Sequence, residues 1–212
     1  MFSPTFVCVN QKPDTNVTTQ RHRLALFASG NGSNAQRLME HFAEHPFAEV
    51  TLIVCNKPGA GVIDRAASFH VPVLLIERER FLRGDGYLPE LRAAGISFIV
   101  LAGFLWKVPP ALIEAFRGRI VNIHPALLPA YGGKGMWGRH VHEAVLAAGD
   151  AESGITIHYV DEHYDHGDHL FQARCPVLAG DTPDSLAERV HGLEHAHFPE
   201  VVEDVLRRTP II

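Results

Sequence analysis

Cysteine is scarce in this chain: Cys8, Cys55 and Cys175 are the only three, an odd number at scattered positions. That usage argues against a disulfide framework and fits a reducing cytoplasm. Long apolar runs are missing as well, since none approaches the roughly 18 residues of a membrane helix. The polar start from Met1 to Arg23 has no hydrophobic signal core. Charge of one sign is also lacking, with 19 Lys and Arg against 24 Asp and Glu and a formal net charge of -5. No general nucleic-acid surface is expected, although a local basic patch can still hold a phosphorylated small molecule. The expected partners are small-molecule substrates, with no nucleic acid and no membrane, and a homodimer is compatible with this reading.

What is present is enough apolar material for one sizeable core: 212 residues with 46% hydrophobic content. Residues 1–22 carry Pro, Asn, Thr and Gln with little periodicity and read as a loose arm before a domain at residues 23–212. From Arg23 the pattern alternates. Short apolar runs at Leu24–Ala28, Val50–Cys55, Val73–Ile76 and Phe98–Ala102 read as strands, and Ala35–His45 and Val62–Phe69 as helices between them. Continuous apolar strands separated by helical segments predict a single α/β domain. Its doubly wound, mostly parallel sheet would carry helices on both faces and gather ligands at the carboxyl ends of its strands. Thr182–Arg208 is expected to form one or two helices interrupted around Pro199.

The stretch Asn122-Ile123-His124-Pro125 places an amide and an imidazole two residues apart where an apolar strand runs out. Alternation puts Asn122 and His124 on one face and frees Ile123 to enter the core. An amide donor beside an acid/base group suits stabilisation of a developing oxyanion. A second strand, Gly154–Val160, runs into the acid-rich loop 161–168. Gly30-Asn31-Gly32-Ser33-Asn34 follows a strand and opens a helix, where backbone amides favour a phosphate; simple N-capping and a dinucleotide site are the other readings. Against a dinucleotide, the second strand ends in Cys55-Asn56-Lys57 without the usual acid. His163, His166 and His169 recur every third residue, yet this spacing off a helix does not build a tetrahedral set, so they are read as solvated and no metal is expected.

Taken together and in order, these segments resemble the glycinamide ribonucleotide formyltransferase family of folate-dependent enzymes in purine synthesis. The match runs from Ser29-Gly30-Asn31-Gly32-Ser33-Asn34 to Glu194-His195-Ala196-His197-Phe198-Pro199, over residues 23–208. The resemblance implies a formyltransferase fold and transfer of a formyl group from 10-formyltetrahydrofolate, the co-substrate, to the glycinamide amine. It implies Asn122, His124 and Asp165 as catalytic residues, with Asp165 raising the pKa of His124 and keeping it protonated. It implies Gly32, Ser33 and Asn34 at the ribonucleotide phosphate, with His191 and Glu194 approaching from the closing helix. It further implies folate contacts from Leu105, Trp106, Lys107, Val108 and Asn122 and from the loop Asp161, Glu162, His163, Tyr164 and Asp165.

Relatives that formylate methionyl-tRNA or nucleotide sugars share the catalytic trio. The chain length and acidic balance are expected to disfavour them, and 22 leading residues are too few for the regulatory domain of a formyltetrahydrofolate hydrolase. A non-catalytic nucleotide-binding module would explain Gly30–Asn34 and leave the trio without a reason. The glycine-rich stretch 131–138 reads equally as a loop over the site and as ordinary surface.

Overall fold

The computed structural model describes residues 20–83 and 87–211. In chain order its elements are β1 (His22–Ala28), α1 (Ser33–His41), β2 (Ala48–Cys55), α2 (Gly61–Ser68), β3 (Val73–Leu75), α3 (Arg78–Leu82) and α4 (Leu88–Ala93). They continue as β4 (Phe98–Leu101), α5 (Pro110–Ala115), β5 (Ile120–His124), α6 (Arg139–Ala148), β6 (Glu152–Tyr159), β7 (His169–Pro176) and α7 (Pro183–Arg208). The expected arm lies outside the described residues as far as residue 19. Its last residue, His22, already belongs to β1.

The seven strands form one sheet in the order β3-β2-β1-β4-β5-β6-β7. Strands β1 to β5 pair in parallel, and β6 runs antiparallel to both β5 and β7. The doubly wound, mostly parallel sheet expected from the strand pattern is what the chain builds. Its cause is visible in β1, where Leu24, Leu26 and Ala28 enter one core and Ala25 and Phe27 enter the other. A strand covered on both faces must be apolar at successive positions, and full burial of a Leu or Phe side chain contributes about 1.5–3 kcal/mol. On the first face Leu38 of α1, Val62 of α2 and Phe198 of α7 close the core. Phe81 of α3, Leu91 of α4 and Leu112 of α5 close the second.

The closing segment differs from the interrupted form expected around Pro199. It is one helix of 26 residues with Pro199 inside it. An interior proline removes a backbone hydrogen bond and costs about 3 kcal/mol. Here Phe198, Pro199, Val202, Val205 and Leu206 are buried on its core face, which offsets the loss. The start of α7 is fixed by a reciprocal cap, in which Ser185 N donates to Thr182 Oγ1 at 3.2 Å and Thr182 N to Ser185 Oγ at 3.0 Å. Among the described residues no helix is long and apolar enough to cross a membrane.

Strand order reverses about β1, whose neighbours are β2 and β4. Connections leave in opposite directions there, so the carboxyl ends of β1 and β4 open a crevice between diverging loops.

Candidate active site

A cleft of about 950 Å³ occupies that crevice and extends to the end of β5. On β5, Ile123 is buried in the core while Asn122 and His124 face the cleft, as the alternation predicts. Asp165 comes to them from the loop after β6, with its backbone at φ 53. Asn122 Nδ2 lies 3.5 Å from Asp165 Oδ1, and His124 Nδ1 lies 3.7 Å from Asp165 Oδ2. The carboxylate is fixed by the Gly133 N–H, which donates to Oδ2 at 2.9 Å.

The His124 pKa is shifted down, not up as expected from its carboxylate neighbour. The residue is 3% exposed, and burial pushes its pKa below the ordinary histidine value despite the opposing pull of Asp165. At 3.7 Å the pair is too long for a hydrogen bond, so desolvation wins. The ring instead donates its Nε2 proton to the Tyr131 carbonyl at 2.8 Å. A carbonyl can only accept, so Nε2 carries a proton, and in the neutral ring Nδ1 is bare toward Asp165. Burial pushes the Asp165 carboxyl up, but the charge that His158 and His124 carry when protonated, with the Gly133 N–H, outweighs it and leaves its pKa below the usual range.

His158, which the sequence reading passed over, completes this centre. It sits opposite Asn122 in the antiparallel β5–β6 pairing. Its Nδ1 donates to the Tyr159 carbonyl at 2.7 Å, leaving Nε2 to accept from Asn122 Nδ2 at 3.1 Å. One Asn122 N–H is therefore oriented by His158, and the other has only the long contact to Asp165. The periodicity of β6 carries no signal for this role, because the partner strand decides which residue faces Asn122.

Along the cleft wall α1 meets α7. Gly32 precedes α1 at φ 76, and a Cβ there would stand 2.6 Å from Val62 Cβ, so only glycine fits. Neither Ser33 nor Asn34 caps the helix with its side chain. Asn34 Nδ2 instead donates to Glu194 Oε2 at 2.8 Å, and His191 Nδ1 donates to the same oxygen at 2.7 Å. That bond to Glu194 raises the His191 pKa against the opposing effect of burial. The helix start thus leaves its backbone amides to the cleft.

Leu105, Trp106, Lys107 and Val108 line the cleft wall after β4, and Asp161, His163 and Tyr164 the loop after β6. Leu105 N donates to Ser29 Oγ at 2.9 Å, which ties this wall to β1. Trp106 packs on Phe81 and Phe104, and Lys107 Nζ stands 5.4 Å above the Tyr164 ring. Glu162 does not line the cleft; its carboxylate turns to Arg117 at 3.7 Å. The glycine-rich stretch contributes Gly133, Lys134, Gly135, Met136, Trp137 and Gly138 to the lining. His142 of α6 also reaches the cleft, 2% exposed, with Nδ1 lacking a hydrogen-bond partner. Among the loop histidines, His163 and His166 converge with Asp161, and His169 stays apart.

The sequence and fold are similar to those of known proteins. The chain is 44% identical to the chloroplastic phosphoribosylglycinamide formyltransferase of Arabidopsis thaliana over 86% of its own length and 65% of that relative's, so it spans less than two thirds of that protein. It is 36% identical to the phosphoribosylglycinamide formyltransferase of Bacillus subtilis (strain 168), over 87% of this chain and 94% of the relative. The crystal structure of glycinamide ribonucleotide transformylase 1 from Geobacillus kaustophilus superposes with a TM-score of 0.80 at 38% identity, covering 88% of this chain and 100% of that one. Residues 22–202 match the formyl transferase domain, and with this fold and these relatives the chain belongs to the formyl transferase family.

Proposed function

We propose that the protein transfers the formyl group of 10-formyltetrahydrofolate to the amine of glycinamide ribonucleotide, giving N-formylglycinamide ribonucleotide and tetrahydrofolate in de novo purine biosynthesis in the cytoplasm. The observation that carries this reading is that Asn122, His124 and Asp165 line a single cleft. The same cleft is lined by a helix start with Asn34, Glu194 and His191 and by the apolar wall of Leu105 to Val108.

The reaction joins an amine to a formyl carbon, and negative charge develops on the formyl oxygen. The Asn122 N–H that has only the 3.5 Å contact to Asp165 is the donor available to that oxygen. One such donor lowers the barrier by about 3 kcal/mol, or about a hundredfold in rate. The attacking amine must lose a proton, and the bare Nδ1 of neutral His124 is the acceptor. The imidazolium so formed gains the Asp165 carboxylate as counter-charge, then returns the proton to the departing folate nitrogen. Tyr131 holds the ring throughout by its carbonyl. No step requires a metal.

In the acceptor site, the free N–H groups at the start of α1 suit the ribonucleotide phosphate, with Gly32 allowing close approach and Ser33 and Asn34 beside it. His191, whose pKa is raised by Glu194, supplies positive charge for that phosphate. The exposed Leu105 and the Trp106 and Tyr164 rings suit the flat pterin and its aryl extension, with Lys107 and His163 at the rim and the Val108 backbone in the wall. Asp161 orients the loop by accepting from His163 N at 2.7 Å.

The deciding experiment offers purified protein 10-formyltetrahydrofolate with glycinamide ribonucleotide, with a sugar-nucleotide amine, or with water alone, and follows tetrahydrofolate release and product mass. Turnover with glycinamide ribonucleotide alone is expected. Release at the same rate in water would identify a hydrolase, and preference for the sugar amine would overturn the acceptor.

A further inference from the structure

Outside the cleft, two histidines and a carboxylate converge where the far end of α1 meets α7. His41 is the last residue of α1 and His45 lies one turn beyond it. His41 Nε2 is 2.7 Å from Glu203 Oε2, and His45 Nε2 is 3.4 Å from Glu203 Oε1. One ligand atom from each of the three lies within 4.8 Å of the others. We propose that His41, His45 and Glu203 bind a divalent transition-metal ion, with zinc the best fit, which ties α1 to α7.

The donor set decides the class of ion. Two imidazoles and one carboxylate suit zinc or cobalt, whereas calcium and magnesium prefer oxygen ligands throughout. Ligands of a tetrahedral zinc at about 2.0–2.1 Å stand about 3.4 Å apart. The 2.7 Å and 3.4 Å contacts run to different oxygens of Glu203, so one oxygen and the two nitrogens have to draw to that spacing from within 4.8 Å of one another. The protein supplies three ligands and leaves the fourth position to water. Binding displaces the proton on His41 Nε2 that now bridges to Glu203.

The surroundings hold the ligands in place. The His45 ring packs edge-on against Phe42 and Phe47 with centroids at 5.1 and 4.4 Å, and the His41 and His45 rings stack at 5.7 Å. The His45 side chain is 12% exposed and that of Glu203 19%. In contrast, His163 and His166 beside Asp161 are 76% and 77% exposed, so nothing but their own loop orders them. Arg207 competes for the same carboxylate, donating from Nε to Glu203 Oε1 at 3.1 Å while its guanidinium lies over the Phe47 ring. A metal has to displace it. At the cleft, Asn34 and Glu194 already join the same two helices, and the metal would add a second tie further along both. This site is independent of the catalytic reading.

The test is calorimetric titration of zinc into the full chain carrying Asp161→Ala, His163→Ala and His166→Ala, so that the loop cluster cannot compete. One equivalent should bind with micromolar affinity, raise Tm, and disappear in His41→Asn and Glu203→Gln. Cobalt should give the visible absorption of a tetrahedral site, lost in the same variants. Arg207→Gln keeps all three ligands and removes the competing cation, so it should tighten zinc several-fold; this variant keeps the test decisive if a ligand variant fails to fold. Zinc affinity that is unchanged in both His41→Asn and Arg207→Gln, or absence of binding altogether, overturns the proposal.

Discussion

The Nε2–H of His124 donates to the Tyr131 carbonyl across 2.8 Å, and Tyr131 presents that oxygen from a backbone at φ 55. The Tyr131 hydroxyl in turn donates to Asp150 Oδ2 at 2.6 Å, which anchors the residue from outside the cleft. This fixes one tautomer of a neutral ring and aims its bare nitrogen at Asp165. Rate and pH dependence follow from that arrangement.

His124→Ala and Asp165→Asn should each lower kcat by at least about a hundredfold with the fold intact by circular dichroism. Asn122→Ala should lose a similar factor in kcat with little change in either KM. Near-normal turnover in the His124 and Asp165 variants would remove the trio from the chemistry, and a pure KM effect at Asn122 would make it a binding group.

Because burial dominates at His124, its ring should titrate below the ordinary histidine value of about 6.5 when followed by NMR in the free protein. Burial also lowers the pKa of His22, His142 and His195. Below about pH 6.5 the unfolded chain binds protons that these folded side chains refuse, so stability rises with pH through that window and falls on acidification. His191 acts in the opposite sense: its raised pKa gives stability that is complete below about pH 6.5 and lost as pH rises through the folded value. Four lowered groups outnumber the raised one, and Tm should drop from about pH 7.5 to about pH 5.5. A His124 midpoint above about 6.5 would contradict the downward shift.

Glu194→Ala leaves Asn34 and His191 without their shared acceptor. The apparent KM for glycinamide ribonucleotide should rise by about tenfold or more, with that for the folate nearly unchanged. Steady-state kinetics with each substrate varied in turn checks it. A selective effect on the folate would reverse the two assignments.

Exhaustive chelation should leave turnover unaltered, since the proposed oxyanion donor and proton acceptor are both side chains. Zinc lost from the α1–α7 site would appear as a lower Tm alone. Chelator-sensitive kcat, restored by zinc, would point instead to Asp161, His163 and His166.

Gly32→Ala should destabilise the fold by about 1–3 kcal/mol and weaken ribonucleotide binding, because the new Cβ meets Val62 and the backbone stays at positive φ. Thermal unfolding with and without the ribonucleotide separates the two effects. An unchanged Tm would show that α2 yields without strain.

Much of the architecture was legible in the chain. Apolar runs such as Leu24–Ala28 and Phe98–Leu101 mark strands covered on both faces, and helix-length segments between them require crossovers. Strand β7 was not legible, because its residues are half-buried or exposed with one exception and follow neither a continuous nor a clean alternating pattern. Pro199 misled for a related reason: local backbone chemistry predicts a break, whereas the buried face around it belongs to the whole core.

The sequence by itself determined that Asn122 and His124 share a face, since alternation along a strand is a local property of the backbone. It also determined that a glycine-rich turn opens α1, because only glycine enters that conformation freely. Tertiary structure alone decided that His158 orients Asn122, that Tyr131 holds His124, and that Glu194 joins Asn34 across 160 residues. It also decided the direction in which the His124 pKa shifts. A carboxylate neighbour and a buried ring push that pKa in opposite directions, and which one wins depends on a separation of 3.7 Å and an exposure of 3%, quantities that exist only once the chain has folded.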